Sequence, residues 1–194
     1  MVKFVNNNCI RKLNIKIEII GKEYGMDDLT KISIRGRMAY LLCVFENILV
    51  FFKCEKKDWN WILDKLWQYT SIEYLDDWMY EIAEYMPESV MEDNTDDIEY
   101  ITESELKRLK DLYKNNPAEV NKMLRIIYEA GTIDLYTRLQ NGSQNTLVKL
   151  QEGIDIAIKT GVKLPDISEF EKYRFIEGNG WGFPFDGKKY SLYL

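Results

Sequence analysis

Apolar residues recur along most of this chain at alternating spacings of three and four, which is the pattern of one face of an α-helix. The broadest apolar stripe runs from Ile34 to Phe52 and follows Ser33, whose hydroxyl group suits a helix N-cap. This stripe predicts a central, buried helix. Its most apolar part covers only residues 38–52 and contains Glu46, whereas a membrane span needs about 20 apolar residues.

Shorter stripes predict further helices, most of which have recognisable ends. Thr102 and Glu105 form a capping box, while Asn116, Pro117 and Glu119 are typical of another helix start. The predicted helices are 58–67, capped by Asp58; 75–86, followed by Pro87; 102–113; 116–131, ended by Gly131; 133–139, followed by Gly142; and 143–158, capped by Ser143 and ended by Gly161.

The first patterned segment fits two structures. Apolar residues at positions 10, 13, 17, 20 and 24 follow a helical spacing, and Gly25 follows where a C-cap glycine belongs. Positions 13, 15, 17 and 19 also alternate as they would in a strand. The helical pattern covers the longer stretch and has a stop signal, so a helix is predicted.

The C-terminal residues 173–194 differ in character from the rest of the chain. Glycines at 178, 180, 182 and 187 are interspersed with aromatic residues, which favours an irregular tail that packs its rings onto the helices or acts as a flexible aromatic clamp. An acidic connector is expected near 92–101. The chain is therefore predicted to be one all-α, bundle-like domain over residues 1–194, with about seven to nine helices.

The residue types argue against catalysis. The chain has no histidine, which removes the usual general base and histidine metal sites. Its three cysteines are far apart and match no disulfide or zinc pattern, and the acidic run that begins at Asp93 fails the calcium-loop spacing. No signal peptide is visible at the start of the chain. We expect a cytoplasmic protein that is not an enzyme and uses no cofactor or metal.

The acidic residues are concentrated in one part of the chain. Thirteen acidic residues and no basic ones lie between Trp67 and Leu106; because the whole chain carries −6, the remainder carries +7. This segment would repel nucleic acid and favours a basic protein partner. A solvated face that only confers solubility is the alternative, and the two explanations carry equal weight.

The helix predicted over 75–86 gives this acidic segment a defined face, because tyrosine and carboxylates lie opposite its apolar stripe. Such a combination suits a protein interface, in which the ring supplies buried area and the charges steer association. Trp61 points away from the stripe of its own helix and is predicted either to cover a neighbouring helix or to anchor a partner. The candidate partner-binding residues are Asp76, Asp77, Tyr80, Glu84, Glu88 and Trp61.

Four segments of the chain resemble small helical immunity proteins of bacterial polymorphic or contact-dependent growth-inhibition toxin systems. They are 36–47 (GRMAYLLCVFEN), 74–78 (YLDDW), 86–88 (MPE) and 180–185 (GWGFPF). The resemblance implies a bacterial cytoplasmic inhibitor that binds a cognate toxin domain. Many such toxins are nucleases with basic clefts, and an acidic immunity protein would then occupy the place of the polyanionic substrate.

Two other functions remain open from the sequence. The chain could be a helical small-molecule-binding protein or enzyme that uses carboxylates and the aromatic tail, or an adaptor without an inhibitory role. The acidic, tyrosine-bearing face favours toxin neutralisation over both, with neither nucleic acid nor membrane expected as a partner.

Overall fold

The longest helix, α2 (Ile34–Phe51), lies at the centre of the fold. The computed structural model describes residues 17–19, 22–24, 26–92, 98–139 and 142–194. Helix α2 is buried on nearly all sides, and it packs against two long helices from the C-terminal half of the chain. The Ser33 hydroxyl group accepts a hydrogen bond from the Gly36 amide at 3.3 Å, so the predicted N-cap is confirmed.

The predicted all-α class is confirmed, although the six long helices of the described residues are slightly fewer than the seven to nine expected. Six helices of 11 to 18 residues form the body of the described chain, and two short ones accompany them. Besides α2, they are α1 (Met26–Leu29), α3 (Lys56–Trp67), α4 (Leu75–Tyr85), α5 (Pro87–Met91), α6 (Glu103–Asn115), α7 (Ala118–Thr132) and α8 (Gln144–Thr160). None of the helices in these ranges combines the length and apolar character needed to cross a bilayer.

The helix predicted over residues 10–24 is wrong in the part that the structure describes. Strand β1 (Ile17–Ile19) pairs antiparallel with β2 (Lys22–Tyr24), and Ile17 lies opposite Tyr24. β-Branched isoleucines at alternate positions favour the pleated backbone, so the period of two prevails over the helical spacing. The rest of that prediction, including Gly25, lies outside the described residues.

Other predicted helix limits also differ from the structure. Ser143 precedes α8 but its side chain makes no capping bond, because its hydroxyl group donates to Asp134. Helix α3 begins at Lys56, so Asp58 lies in its first turn and does not cap it. Helix α7 begins one residue after Pro117 and continues through Gly131 to Thr132. Residues 133–139 form hydrogen-bonded turns in place of the predicted helix, because the amides of Leu135 and Thr137 bond to the carbonyls of residues 132 and 134.

The core contains the three tryptophans that the stripes placed there, Trp59, Trp67 and Trp78, all fully buried. Trp78 packs edge-to-face against the buried Tyr69, with ring centroids 4.8 Å apart. Gly131 lies directly beside this pair, and a Cβ atom there would come within 2.8 Å of the Trp78 ring. The glycine that the sequence marked as a helix end is therefore a packing residue.

The C-terminal tail packs against the helices, as the first of its two interpretations predicted. The Phe185 amide donates a hydrogen bond to the Thr70 carbonyl at 2.8 Å, and the Phe185 ring stacks on Tyr173 with centroids 3.8 Å apart. Farther on, Ser191 donates to the carboxylate of Glu46 in α2 at 2.6 Å. These bonds fix the tail across helices that precede it by more than a hundred residues.

Candidate protein-binding surface

Helix α4 is amphipathic, and its polar side carries the first three predicted site residues. Trp78, Ile82 and Tyr85 face the core, and the Trp78 indole N–H donates to the Lys65 carbonyl at 3.1 Å. Asp76 and Asp77 are exposed in the first turn, where carboxylates also suit the positive end of the helix dipole. Since tryptophan fixes the rotation of the helix, the opposite side must face solvent.

Exposed tyrosines accompany these carboxylates. Tyr74, Tyr80, Tyr100 and Tyr136 are 62%, 54%, 43% and 75% exposed. Tyr136 lies in the turn after α7, far from α4 in sequence, yet the neighbouring Tyr80 hydroxyl group raises its pKa, and the Asp76 carboxylate adds to that effect. Two elements thus contribute rings to one surface. We define the tyrosine surface as Asp76, Asp77, Tyr80 and Tyr136.

Glu84 is close to this surface but has a structural task. Its carboxylate accepts hydrogen bonds from the backbone amides of Glu99, Tyr100 and Ile101, at 2.8, 2.8 and 3.1 Å. The carboxylate thereby fixes residues 99–101 onto α4, which places Tyr100 beside the helix. Glu84 is one of the predicted partner-binding residues, and in the structure its three acceptor bonds also support the surface from within the chain.

Other acids of the segment are neutralised by bases from outside it. Glu81 forms an ion pair with Lys65 of α3 at 2.5 Å, and Glu88 pairs with Arg125 of α7 at 3.3 Å. The sequence count of thirteen acids without a base therefore overstates the charge of the folded surface. Among the described residues, Asp76 and Asp77 form no ion pair, so the start of α4 keeps its negative charge.

Trp61 covers a neighbouring helix, which is the first of the two alternatives that the sequence left open. The centroid of its ring lies 5.8 Å from that of Tyr85. The Arg108 guanidinium carbon lies over the Trp61 ring, 4.8 Å from the ring centroid. The indole N–H donates to the Asp58 carbonyl at 2.9 Å. Trp61 is thus half-buried and engaged by α3, α4 and α6, away from the tyrosine surface.

A buried polar network fixes the turn that carries Tyr136. The carboxylate of Asp134 accepts hydrogen bonds from the hydroxyl group of Ser143 and from the Asn145 amide, the latter at 2.8 Å. Arg37 of α2 extends the network as a buried guanidinium group. It donates to the carbonyls of Leu29, Thr30, Gly142 and Ser143 and to the Thr146 hydroxyl group.

Burial in this network lowers the pKa of Arg37 to about 10, and the Asp134 carboxylate partly offsets that effect. The guanidinium group therefore remains charged at neutral pH. Its charge complements Asp134, and the carbonyl oxygens satisfy its donors. Sequence reasoning missed this support, because Arg37 and Asp134 lie in different predicted elements and neither belongs to a recognised motif.

The alternative function, small-molecule binding, would need a cavity. The structure has an open cavity of about 740 Å³. Asp28, Glu171, Lys31 and Arg174 line it together with Phe175, so acids and bases are mixed. Among the described residues, two buried side-chain atoms lack a hydrogen-bond partner, Arg35 Nε and Gln151 Oε1, and both belong to residues outside the lining of this cavity. In the described residues, no group of three or more acidic or cysteine side chains is placed to hold a metal ion.

Comparison with protein-family models, curated proteins and solved structures finds no match to this chain.

Proposed function

We propose that this chain is an inhibitory protein-binding module that neutralises a cognate bacterial toxin domain by covering a basic surface of that domain. The tyrosine surface is the proposed contact. This function agrees with the resemblance of segments 36–47 and 74–78 to immunity proteins of toxin systems. The protein would act by occlusion alone, without catalysis.

The observation that carries the proposal is the placement of exposed tyrosines beside carboxylates that lack internal ion pairs. Tyr80 and Tyr136 expose most of their rings, and Asp76 is close enough to affect Tyr136. Exposed tyrosine supplies a large contact area at low entropic cost, while charges at the rim accelerate association with a basic partner. A face that served only solubility would not need to place two aromatic rings in solvent.

The test is co-expression of this chain with a toxin domain, sought first as the variable C-terminal domain of a large secreted protein encoded beside it. We expect the chain to protect a bacterial host from growth arrest and to bind the purified domain in a calorimetric titration. Protection and binding should both be lost in the double variant Asp76→Lys/Asp77→Lys.

The matched control is Glu119→Lys/Glu169→Lys, which changes the net charge equally at two exposed positions outside the surface. The control should protect as well as the unmodified chain. Absence of any binding to the toxin domain would refute the function. Equal loss in both variants would indicate that only net charge matters and would refute the site.

A further inference from the structure

We infer that Glu84 is a positioning residue of the partner-binding surface: its carboxylate holds Tyr100 beside α4, so that Tyr80 and Tyr100 together form a two-ring contact for a basic toxin surface. This inference rests on the proposed function and extends the same surface to a residue of another segment. Tyr100 is absent from the binding residues that the sequence predicts, because it lies outside α4. Glu84 then contributes to binding through Tyr100 and not through its own charge.

The first argument is the attachment of the segment that carries Tyr100. The amides of Glu99, Tyr100 and Ile101 all donate to the Glu84 carboxylate, at 2.8, 2.8 and 3.1 Å. Hydrogen bonds to an ionised acceptor are about twice as strong as those between neutral groups. Three consecutive amides on one carboxylate therefore restrain this short segment strongly against α4.

Apolar side chains on both sides of Tyr100 reinforce this attachment. Ile101 is buried, and Ile98 is half-buried and packs against the core. Tyr100 lies between them and remains 43% exposed. The backbone is thus fixed while the tyrosine keeps its exposure to solvent, and a preorganised side chain loses less conformational entropy on binding.

The second argument is the position of Tyr80 on the same face of α4. Trp78 and Ile82 are buried on the opposite side of this helix. Tyr80 precedes Glu84 by one helical turn, and side chains so spaced are neighbours, with Cβ atoms about 5–6 Å apart. The segment that Glu84 holds therefore lies one turn from Tyr80, which is 54% exposed. Two exposed tyrosines from different segments are thus arranged around one carboxylate.

The third argument is the charge around these rings. Asp77 lies in the turn of α4 that precedes Tyr80, and Glu99 directly precedes Tyr100. Both acids are exposed, and neither forms an ion pair with the residues that the structure describes, whereas Glu81 is paired with Lys65. Charges at the rim of an interface steer association, while aromatic rings supply the buried contact. This arrangement fits a protein surface on which cations surround apolar side chains.

Two possible roles of Glu84 predict different kinetics. A positioning residue affects how long the complex lasts, because the loss of a buried contact acts mainly on dissociation. A steering charge affects the rate of association, which is the effect expected of Asp77. Glu84→Gln removes the charge and replaces the carboxylate with a weaker, neutral acceptor for the three amides. This variant therefore distinguishes the two roles.

The experiment measures the association and dissociation rates of the full chain and the purified toxin domain by surface plasmon resonance. We expect Tyr100→Ala to raise the dissociation rate about tenfold or more, as for an aromatic hot spot. Glu84→Gln should also raise it, and the double variant should dissociate no faster than Tyr100→Ala alone, because Glu84 acts through that ring. The matched control, Asp77→Asn, should instead slow association, and it should do so equally in the Tyr100→Ala background.

The positioning role is wrong if Glu84→Gln slows association as Asp77→Asn does, or if its effect adds in full to that of Tyr100→Ala. If Tyr100→Ala binds and protects like the unmodified chain, the proposed function stands and the inference is overturned. If the unmodified chain does not bind the toxin domain, the function itself fails and the inference with it. Tyr100→Phe keeps the ring and should retain most of the affinity, and unchanged circular dichroism of each variant excludes unfolding as the cause.

Discussion

Glu46 is a fully buried carboxylate in the middle of α2 that forms no ion pair with any described basic residue. The Trp67 indole donates to it at 2.7 Å, Ser191 donates at 2.6 Å, and the Leu192 amide donates as well. A buried charge is tolerated only if its oxygens are fully bonded, so these three donors determine whether the core can hold it. The sequence indicated only that Glu46 interrupts an apolar stripe.

Replacing Glu46 with leucine should lower the free energy of unfolding by about 3 kcal/mol or more, because buried donors would lose their acceptor at about 1–3 kcal/mol each. Urea denaturation at pH 7 measures this change. The exposed substitution Glu119→Leu is the control and should stay within about 0.5 kcal/mol. An unchanged Glu46→Leu midpoint would contradict the structural role.

Gly131 offers a second test at the scale of single residues. Alanine is the better helix former by about 1 kcal/mol, but its Cβ atom here would meet the rings of Trp78 at 2.8 Å and Tyr69 at 3.0 Å. We expect Gly131→Ala to destabilise the protein by about 1–3 kcal/mol, the usual cost of overpacking. A thermal melt of this variant beside Lys122→Ala, an exposed change on the same helix, measures it; stabilisation would show that the rings can yield.

The Glu84 side chain connects helix α4 to residues 99–101. Glu84→Ala should release those three amides, so hydrogen exchange there should become faster while α2 stays protected. The expected loss of stability is about 1–3 kcal/mol, since the amides lose a charged acceptor. Asp77→Ala, an exposed acid of the same helix, serves as control. Unaltered exchange at residues 99–101 would argue against this connection.

The capping box of α6 supplies a pH-dependent test. The Thr102 backbone amide, and then its hydroxyl group, bond to the Glu105 carboxylate and lower its pKa below the ordinary 4.5. A lowered folded-state pKa stabilises the fold above pH 4.5, and this contribution is lost as the pH falls through the folded value. Glu105→Gln should therefore cost up to about 1 kcal/mol at pH 7.

Denaturation at pH 7 and at pH 3 distinguishes this role from simple packing. The difference in stability between the chain and Glu105→Gln should shrink as the pH falls through the lowered folded-state pKa of Glu105, because the native carboxylate then becomes protonated. The control is Glu103→Gln, which changes an acid in the same first turn of α6 that takes no part in the capping box. A difference that does not change with pH would refute the electrostatic account.

Elements were predictable where their signals are local. Ser33 and Thr102 cap helices through their own side chains, and both starts were predicted correctly. The start of α3 has no side-chain cap bond, so the residue type at Glu55 did not predict that the helix begins there. The turn at residues 133–139 depends on Asp134 meeting Ser143 and Asn145, and such a network has no signature in a periodic pattern.

For the molecule as a whole, the sequence located the exposed side of α4 but not the distribution of charge around it. The spacing of Trp78 and Ile82 was enough to place Asp76, Asp77 and Tyr80 in solvent. Pairing of Glu81 with Lys65, and the approach of Tyr136, depend on how distant helices pack. Composition along the chain cannot report contacts of that kind.

The charge of the whole molecule leads to a kinetic prediction for the proposed complex. Association with the basic toxin domain should slow as salt rises from 0.05 to about 1 M, where the Debye length is near 3 Å. In Asp76→Lys/Asp77→Lys this salt dependence should be weaker, whereas in Glu119→Lys/Glu169→Lys it should be nearly retained. Stopped-flow measurement of the association rate tests this, and identical salt slopes in both variants would oppose local steering.

The attachment of the tail to α2 also affects when the core can be completed during synthesis of the chain. Ser191, which donates to Glu46, follows it by 145 residues. A ribosome that adds about 5–20 residues per second reaches Ser191 roughly 7–30 s after Glu46 has been made. Throughout that interval the Glu46 carboxylate lacks the Ser191 donor that bonds to it in the folded protein. Synthesis of the tail around Ser191, and not the earlier collapse of the helices, therefore completes the hydrogen bonding of this carboxylate in the nascent chain.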